Sequence, residues 1–247
     1  MDKSLYIAMT GAKNNMMAQT NHSNNLANLN TTGFRADFAQ ARSMPVYYGD
    51  GHPTRAYAMT ESPGSDFSQG PLNETGRQLD LAIDGEGFIA VQAPDGTEAY
   101  TRAGALNIDP LGVLRTADGK PVMGNDGPIA LPPLEHLEIG SDGTLSIVAQ
   151  GQGPEALVEI DRIKLVNPDL QEVSKGEDGL FRLNDNLPAE ADAGVNVISG
   201  FLEGSNVNAV DEFTQILSLS RQYEMQLKLM QNVEQNSESS ARLLQSQ

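Results

Sequence analysis

The sequence predicts an α+β fold: long N- and C-terminal helices paired as a coiled-coil-like domain, an extended connector, and a central, mostly antiparallel β domain. Three observations predict this class. Apolar residues recur at alternating spacings of three and four near each end of the 247-residue chain, which is typical of helices. Asp-Gly pairs recur through the middle, and short apolar runs separate them, which is typical of strands joined by tight turns.

The first helix is predicted to begin near the start of the chain and to end at Gly33 in a left-handed conformation. No charged residue occurs from Asn14 through Phe34, although a solvated helix face usually carries Lys and Glu. Neutral amides lose less free energy than charges when they are buried, so these residues favour a helix packed among copies of itself. The helix has a heptad seam at Leu5, Met9, Ala12, Met16, Gln19, Ser23 and Leu26, and asparagines 14, 21 and 28 on its opposite face.

The last helix is predicted from about Val210 to Leu244, again with apolar residues spaced by three and four. Two amphipathic ends that bracket a β-rich middle most simply pair with each other or with copies of themselves. The main members of the second seam are Phe213, Ile216, Ser220, Tyr223, Leu227 and Met230.

The predicted domains are 1–35 with 206–247 as a paired helical domain, 36–78 as an extended connector, and 79–205 as the β domain. Prolines and scattered glycines make the connector region irregular. Predicted strands in the middle of the chain are 88–92, 99–102, 105–108, 113–116, 137–139, 145–148, 162–166 and 181–183.

The formal net charge of −17 argues against nucleic acid and anionic membrane surfaces as partners, because both attract basic proteins. The imbalance lies in residues 46–210, and the two ends are nearly neutral. Without cysteine the chain forms no disulfide and has no thiolate chemistry. No apolar run is long enough to span a membrane, and the first twenty residues lack an ordinary secretory signal. On these grounds alone the expected compartment is the cytoplasm.

Sequence motifs for chemistry are weak, so we predict no catalytic residue, no cofactor and no metal site. The GEGFIA run at 85–90 matches a dinucleotide-binding pattern, but a short strand follows it where a helix is required. Asp80, Asp84 and Gly85 loosely resemble a calcium loop whose twelfth position is Val91 instead of Glu. Two alternatives from other functional classes stay open: an acidic extracellular hydrolase and a calcium-binding adhesive module.

Both ends of the sequence resemble the rod and hook axial proteins of the bacterial flagellum. The N-terminal segments NNLAN at 24–28 and NTTGFR at 30–35 are similar to that family's N-terminal signature. Near the other end, GFLEGSNVN at 200–208 and RQYE at 221–224 are similar to its C-terminal signature. The run from Gly85 to Gly124 resembles rod proteins more than hook proteins. The proximal rod type is the better match, and the distal rod type is the alternative.

This resemblance implies a non-enzymatic rod subunit that transmits torque. It implies terminal helices in an inner tube, an outer β domain, and contacts with copies of itself and with the rod proteins FlgB, FlgC and FlgG. It also implies export by the flagellar type III apparatus without a cleaved signal, and a periplasmic position in the basal body. The predicted assembly interface is Leu5, Met9, Ala12, Met16, Asn25, Leu26, Ala27, Asn28, Thr32, Gly33, Phe34, Asn206, Asn208, Phe213, Ile216, Tyr223, Leu227 and Met230.

Overall fold

A computed structural model describes residues 3–46, 55–61, 64–149, 151, 157–185 and 187–245. Within them the chain forms two helices and sixteen strands, and all paired strands are antiparallel. The class is therefore α+β, with many more strands than helices. The chain divides into two compact units. The terminal unit comprises Met1–Asn28, Asp37–Ser65 and Val207–Gln247, and the β unit comprises Leu29–Ala36 and Asp66–Asn206.

The terminal unit contains both helices and one hairpin. Strands β1 (Gln40–Val46) and β2 (Arg55–Glu61) pair along their whole length, so a regular two-stranded sheet lies within the predicted connector. Residues 47–54 and 62–63 of that connector lie outside the described part. The Asn14 side chain donates to the backbone oxygen of Ala58 in β2, which joins the asparagine face of the first helix to the hairpin. The elements are α1 (Lys3–Ala27), β1 (Gln40–Val46), β2 (Arg55–Glu61) and α2 (Ala209–Gln245).

The prediction that the terminal helices pair as a coiled coil is wrong. A coiled coil buries its large seam residues as knobs in the facing helix. Here Met16 is 62% exposed and Phe213 is 54% exposed, although both belong to the predicted seams. Among the described side chains of α1, the buried ones are instead Asn25 and the alanines at 8, 12 and 18. Small side chains therefore face inward on α1, and many of its large apolar side chains face outward.

The predicted end of the first helix is also wrong by several residues, because α1 ends at Ala27. The side chain of Asn28 donates to the backbone oxygen of Asn24 at 3.0 Å. This contact gives a partner to one of the carbonyls that the last turn of a helix leaves unpaired. Gly33 does adopt the expected left-handed conformation, with φ of 69°, but it lies in the β unit.

The β unit consists of short strands around a core of large apolar side chains. The strands are β3 (Leu72–Glu74), β4 (Leu81–Asp84), β5 (Phe88–Gln92), β6 (Glu98–Thr101), β7 (Leu106–Ile108), β8 (Leu114–Thr116), β9 (Leu134–Ile139), β10 (Thr144–Ala149), β11 (Leu157–Arg162), β12 (Leu165–Val166), β13 (Val173–Lys175), β14 (Phe181–Leu183), β15 (Asn196–Ser199) and β16 (Phe201–Glu203). A five-stranded sheet has the order β12-β5-β6-β14-β13, and a three-stranded sheet has the order β11-β10-β9. The remaining pairs are β15-β4, β16-β3 and β7-β8.

Strand β5 lies between two parts of the core, because alternate side chains of a strand point to opposite faces. Phe88 and Ala90 belong to one buried cluster, which also contains Tyr100. Ile89 and Val91 belong to the other, larger cluster. Burial on both faces explains why this strand is apolar along nearly its whole length.

An Asp-Gly turn joins β5 to β6, as the sequence predicts. The amide of Gly96 donates to the oxygen of Ala93 at 2.9 Å, and φ of Gly96 is 85°, a conformation that glycine adopts without steric strain. The carboxylate of Asp95 accepts from the amide and the hydroxyl of Thr97, and these hydrogen bonds hold the pKa of Asp95 below its ordinary value.

Candidate assembly surface

Two of the signature segments, 30–35 and 200–208, contact each other through residues of the β unit. The amide of Gly33 donates to the backbone oxygen of Glu203 at 2.8 Å. Nearby, the amide of Ala36 donates to the side-chain oxygen of Asn206 at 2.8 Å, and the Asn206 side chain donates to the oxygen of Asp66 at 2.8 Å. Backbone and amide hydrogen bonds thus join residues that are 140 to 170 positions apart in sequence. We call this region the signature junction, comprising 30–36 and 200–206.

A buried ion cluster lies at the centre of the signature junction. The Glu203 carboxylate is 0% exposed, and it accepts from Arg35 at 2.6 Å and from Arg102 at 3.1 Å. It also accepts from the amide of Gly70 at 3.0 Å. Burial lowers the pKa of Arg102, the Glu203 charge opposes that shift, and the like charge of Arg35 adds to it. A single carboxylate therefore holds two desolvated cations in place.

Gly33 is required in this junction for two separate reasons. An added Cβ would lie 2.3 Å from the carbonyl carbon of Arg102, and that backbone atom cannot rotate away. Its positive φ also disfavours any side chain, by about 1–2 kcal/mol. We therefore expect Gly33→Ala to lower the free energy of unfolding of the β unit by more than about 4 kcal/mol, measured by urea unfolding followed by circular dichroism.

Gly76→Ala is the matched control for that experiment. Gly76 has the same φ of 69°, but apart from its chain neighbours no described residue has an atom within 4 Å of its added Cβ. Its replacement should therefore show the cost of the backbone conformation alone, about 1–2 kcal/mol. Equal losses for the two variants would mean that the close approach of Gly33 to Arg102 is unimportant.

Asn25 organises the polar part of the terminal unit. It is 1% exposed and belongs to the charge-free stretch of α1. Its side chain accepts from the amide of Asp37 at 2.9 Å and donates to the oxygen of the same residue at 3.0 Å. It also donates to Glu212 of α2 at 3.0 Å, and His22 lies 2.5 Å from the other oxygen of that carboxylate. These side chains join α1, α2 and the start of the hairpin segment.

The outward surface of the terminal unit is rich in large apolar side chains. Among the described residues, most of the large apolar side chains that are exposed belong to this unit. Among its described residues, the buried apolar ones are three alanines and a valine, whereas the largest buried side chains lie in the β unit. The exposed set is Tyr6, Ile7, Met9, Met16, Met17, Phe38, Met44, Met59, Val210, Phe213, Leu217, Met225, Leu227 and Leu229, and we call it the apolar surface.

The predicted interface residues fall into three classes of exposure. Those in the terminal unit and those in the signature junction belong to different compact units. Asn208 accepts from the amide of Val210 as the N-cap of α2. Exposed members are Met9, Met16, Ala27, Asn208, Phe213 and Leu227; half-buried members are Leu5, Leu26, Asn28, Thr32, Phe34, Asn206, Ile216, Tyr223 and Met230; buried members are Ala12, Asn25 and Gly33.

Comparison with known proteins then decides the family. A model described as "Flagellar basal body rod FlgEFG protein C-terminal" matches residues 198–243, and one described as "Flagellar hook protein FlgE/F/G D1 domain" matches 82–147. The chain is 40% identical over 250 residues to the flagellar basal-body rod protein FlgF of Escherichia coli (strain K12), and the alignment covers 99% of both chains. The chain belongs to the flagellar basal-body rod protein family.

Two further relatives of the rod protein family are similar over most of their length. FlgF of Salmonella typhimurium is 39% identical over 250 residues, with 99% of each chain covered. FlgG of Bacillus subtilis is 35% identical over 253 residues, with 93% of this chain and 94% of the relative covered. The distal rod alternative is therefore no better supported than FlgF. Membership in the rod protein family makes this chain a structural subunit of the flagellar basal-body rod.

The signature junction and the apolar surface of this rod subunit both contain residues that the sequence did not single out. Glu203 and Arg35 lie inside the signature segments, so the segments pointed to them, but nothing local pairs them with Arg102. On the apolar surface, Met17 and Met225 lie off the predicted seams and are exposed. The residues matched by the C-terminal family model include Glu203, Asn206 and nearly all of α2.

Within the described ranges, no group of three or more His, Asp or Glu side chains is arranged to hold a metal ion. Neither helix, over its described residues, is long and apolar enough to cross a membrane.

Proposed function

We propose that this chain assembles into the proximal part of the rod through the apolar surface of its terminal unit. Its contacts would be with copies of itself and with the neighbouring rod proteins FlgB, FlgC and FlgG. In this proposal α1 and α2 line the inner tube of the rod, and the assembled shaft transmits torque. The single observation that carries the proposal is the contrast between a terminal unit with buried alanines and exposed methionines and a β unit with a conventional core.

The size of the apolar surface supports assembly on energetic grounds. Burying one large apolar side chain stabilises a protein by about 1.5–3 kcal/mol. Monomeric proteins rarely leave a contiguous patch of such side chains in water, and patches of this kind usually mark interaction sites. A subunit that buries several of them against neighbours gains stability by mass action. The helices would therefore be stabilised mainly in the assembled rod.

The chemistry of the exposed helical residues supports a rod-like partner. Met16 and Met225 are unbranched and flexible, so they can fit the different surfaces that neighbouring subunits present. Few charges would have to be desolvated along α1, because only Lys13 is charged between Ser4 and Phe34. We propose a periplasmic position in the basal body, reached through the flagellar type III export apparatus without a cleaved signal; the resemblance to the axial proteins supports both statements.

The relatives support the proximal type. The FlgF proteins of Escherichia coli and Salmonella typhimurium match 99% of this chain, and their identities exceed that of the Bacillus subtilis FlgG protein. The same relatives are named for the rod of the flagellar basal body, which is a structural assembly.

A deletion strain tests the proposal directly. We expect basal bodies purified from a strain without this chain to lack complete rods, and the strain to be non-motile. The intact chain, supplied in trans, should restore motility and be recovered in the rod fraction. Complete rods and normal motility in the deletion strain would contradict the proposal.

A further inference from the structure

The β unit contains a cavity of about 240 Å³ beside the signature junction. The guanidinium-bearing residues Arg35 and Arg102 line it, and Phe67, Phe88 and Leu170 contribute apolar wall. All of these residues lie in the β unit, so the cavity belongs to a single compact body. None of the residues that line it belongs to the apolar surface described above.

Three nitrogen atoms of the two arginines have no hydrogen-bond partner. Among the described residues, Nε and Nη1 of Arg35 and Nε of Arg102 are buried without an acceptor. An arginine cannot lose its proton in a protein, so these donors persist at every physiological pH. Leaving a buried donor unpaired is unfavourable, because the group has lost its water without gaining an acceptor.

The buried charge of the cluster is positive. Arg35 and Arg102 are both desolvated, and Glu203 is the one fully buried carboxylate that they share. A second acid, Glu86, also lines the cavity, but it is exposed to solvent, so water and salt weaken its electrostatic effect without removing it. The buried part of the site therefore favours one more negative charge, while Glu86 disfavours a dianion such as phosphate.

The cavity walls restrict the rest of the ligand. The rings of Phe67 and Phe88 lie 6.0 Å apart, and the Arg102 guanidinium lies 5.6 Å from the centre of the Phe88 ring. Leu170 is partly exposed beside them. Such an apolar wall can pack against a short hydrocarbon stem. A guanidinium binds a carboxylate well because its N–H donors match the two carboxylate oxygens.

We propose that this cavity binds a monocarboxylate with a short apolar stem, whose carboxylate pairs with Arg35 and Arg102. The unpartnered nitrogens are shielded from solvent, so a bound carboxylate would reach them through a reorientation of the guanidinium groups that keeps their pairing with Glu203. Two sources share this chemistry: a free small carboxylic acid, and a glutamate side chain of a second copy of this chain.

Titration with hexanoate tests the pocket. Hexanoate should shift the Nε–H signals of Arg35 and Arg102 in nitrogen-15 NMR spectra and should saturate. Hexanamide has the same shape without the charge, and it should bind at least ~10-fold more weakly. Equal responses to the two probes, or no saturable shift of either arginine signal, would overturn the proposal and leave the cavity as ordinary internal space.

A pair of substitutions at the rim separates charge from shape. Leu170→Gln removes apolar wall, and Leu170→Glu removes the same wall and adds a negative charge. Because Leu170 is partly exposed, we expect both variants to fold. Hexanoate affinity should fall at least ~10-fold further in Leu170→Glu than in Leu170→Gln, and equal affinities would contradict a site selective for an anion.

A measurement of assembly distinguishes a free carboxylic acid from a glutamate side chain of a second copy as the ligand. This part of the test rests on the proposed rod function. If a neighbour's glutamate is the ligand, saturating hexanoate should slow incorporation of the chain into rods, and hexanamide should not. If the ligand is a free acid, hexanoate should bind without changing incorporation. Failure of the NMR titration overturns the pocket itself, whereas failure of rod incorporation without any probe would overturn the proposed function instead.

Discussion

Replacing Glu203 with alanine should lower the free energy of unfolding of the β unit by about 3–5 kcal/mol, because removing one partner of a buried ion pair leaves an uncompensated charge. In this protein two charges lose their partner, since Arg35 and Arg102 both donate to the same carboxylate. The amide of Gly70 loses its acceptor as well. The signature junction should therefore open before the rest of the unit. Urea unfolding followed by circular dichroism measures the decrease in the free energy of unfolding.

Glu86→Gln is the matched control for the Glu203 variant. It removes a carboxylate from the same neighbourhood, but Glu86 is exposed, so the free energy of unfolding should change by less than about 0.5 kcal/mol. Glu203→Gln adds a second comparison, because it keeps the shape of the side chain and removes only the charge. A Glu203→Ala variant as stable as Glu86→Gln would show that the ion cluster does not hold the two signature segments together.

Placing charges on the apolar surface should abolish assembly and leave the monomer folded. We expect the double variant Met16→Glu, Met225→Glu to make a rod subunit that does not enter the rod, because each buried glutamate would lose its hydration without gaining a partner. Both side chains are more than 60% exposed in the isolated chain, so the free energy of unfolding should change by less than about 0.5 kcal/mol. Motility and recovery of the chain in purified basal bodies measure the effect.

The control for that variant is Met16→Leu, Met225→Leu. Leucine keeps the apolar character and nearly the volume of methionine, so motility should be retained. Equal motility of the glutamate and leucine variants would count against the apolar surface as the assembly surface. Equal loss of motility in both variants would show that the shape of the side chain limits the contact more than its charge does.

The sequence predicted the β unit better than the terminal unit, for a physical reason. Strand β5 could be predicted because a continuous apolar run and an Asp-Gly turn are local signals, and both are satisfied inside one unit. The heptad seams are local signals too, but a seam does not say whether its partner is the same chain or another chain. Met9 and Met16 were placed in the seam predicted to pair with the last helix and also in the predicted assembly interface, and they are exposed.

In the signature junction, the sequence pointed to important residues but could not predict which residues they contact. Gly33 and Asn206 were named from their signature segments, but their roles depend on contacts across more than 160 residues that no spacing reveals. Arg102 lies in neither segment, so only the folded chain shows that it shares Glu203 with Arg35. The asparagines of α1 were interpreted as a neutral contact face; Asn25 is buried within its own unit, where it contacts Asp37 and Glu212.

Cysteine accessibility tests the central claim, that the exposed apolar side chains of α1 and α2 become the buried contacts of the rod. The chain has no cysteine, so Met16→Cys and Met225→Cys each give one labelling site. Leu111→Cys, at a side chain that is 85% exposed in the β unit, reports whether the reagent reaches each sample. We predict that a maleimide labels residues 16 and 225 rapidly in the dilute monomer and very slowly in purified basal bodies. Equal labelling rates in the two samples would contradict the claim.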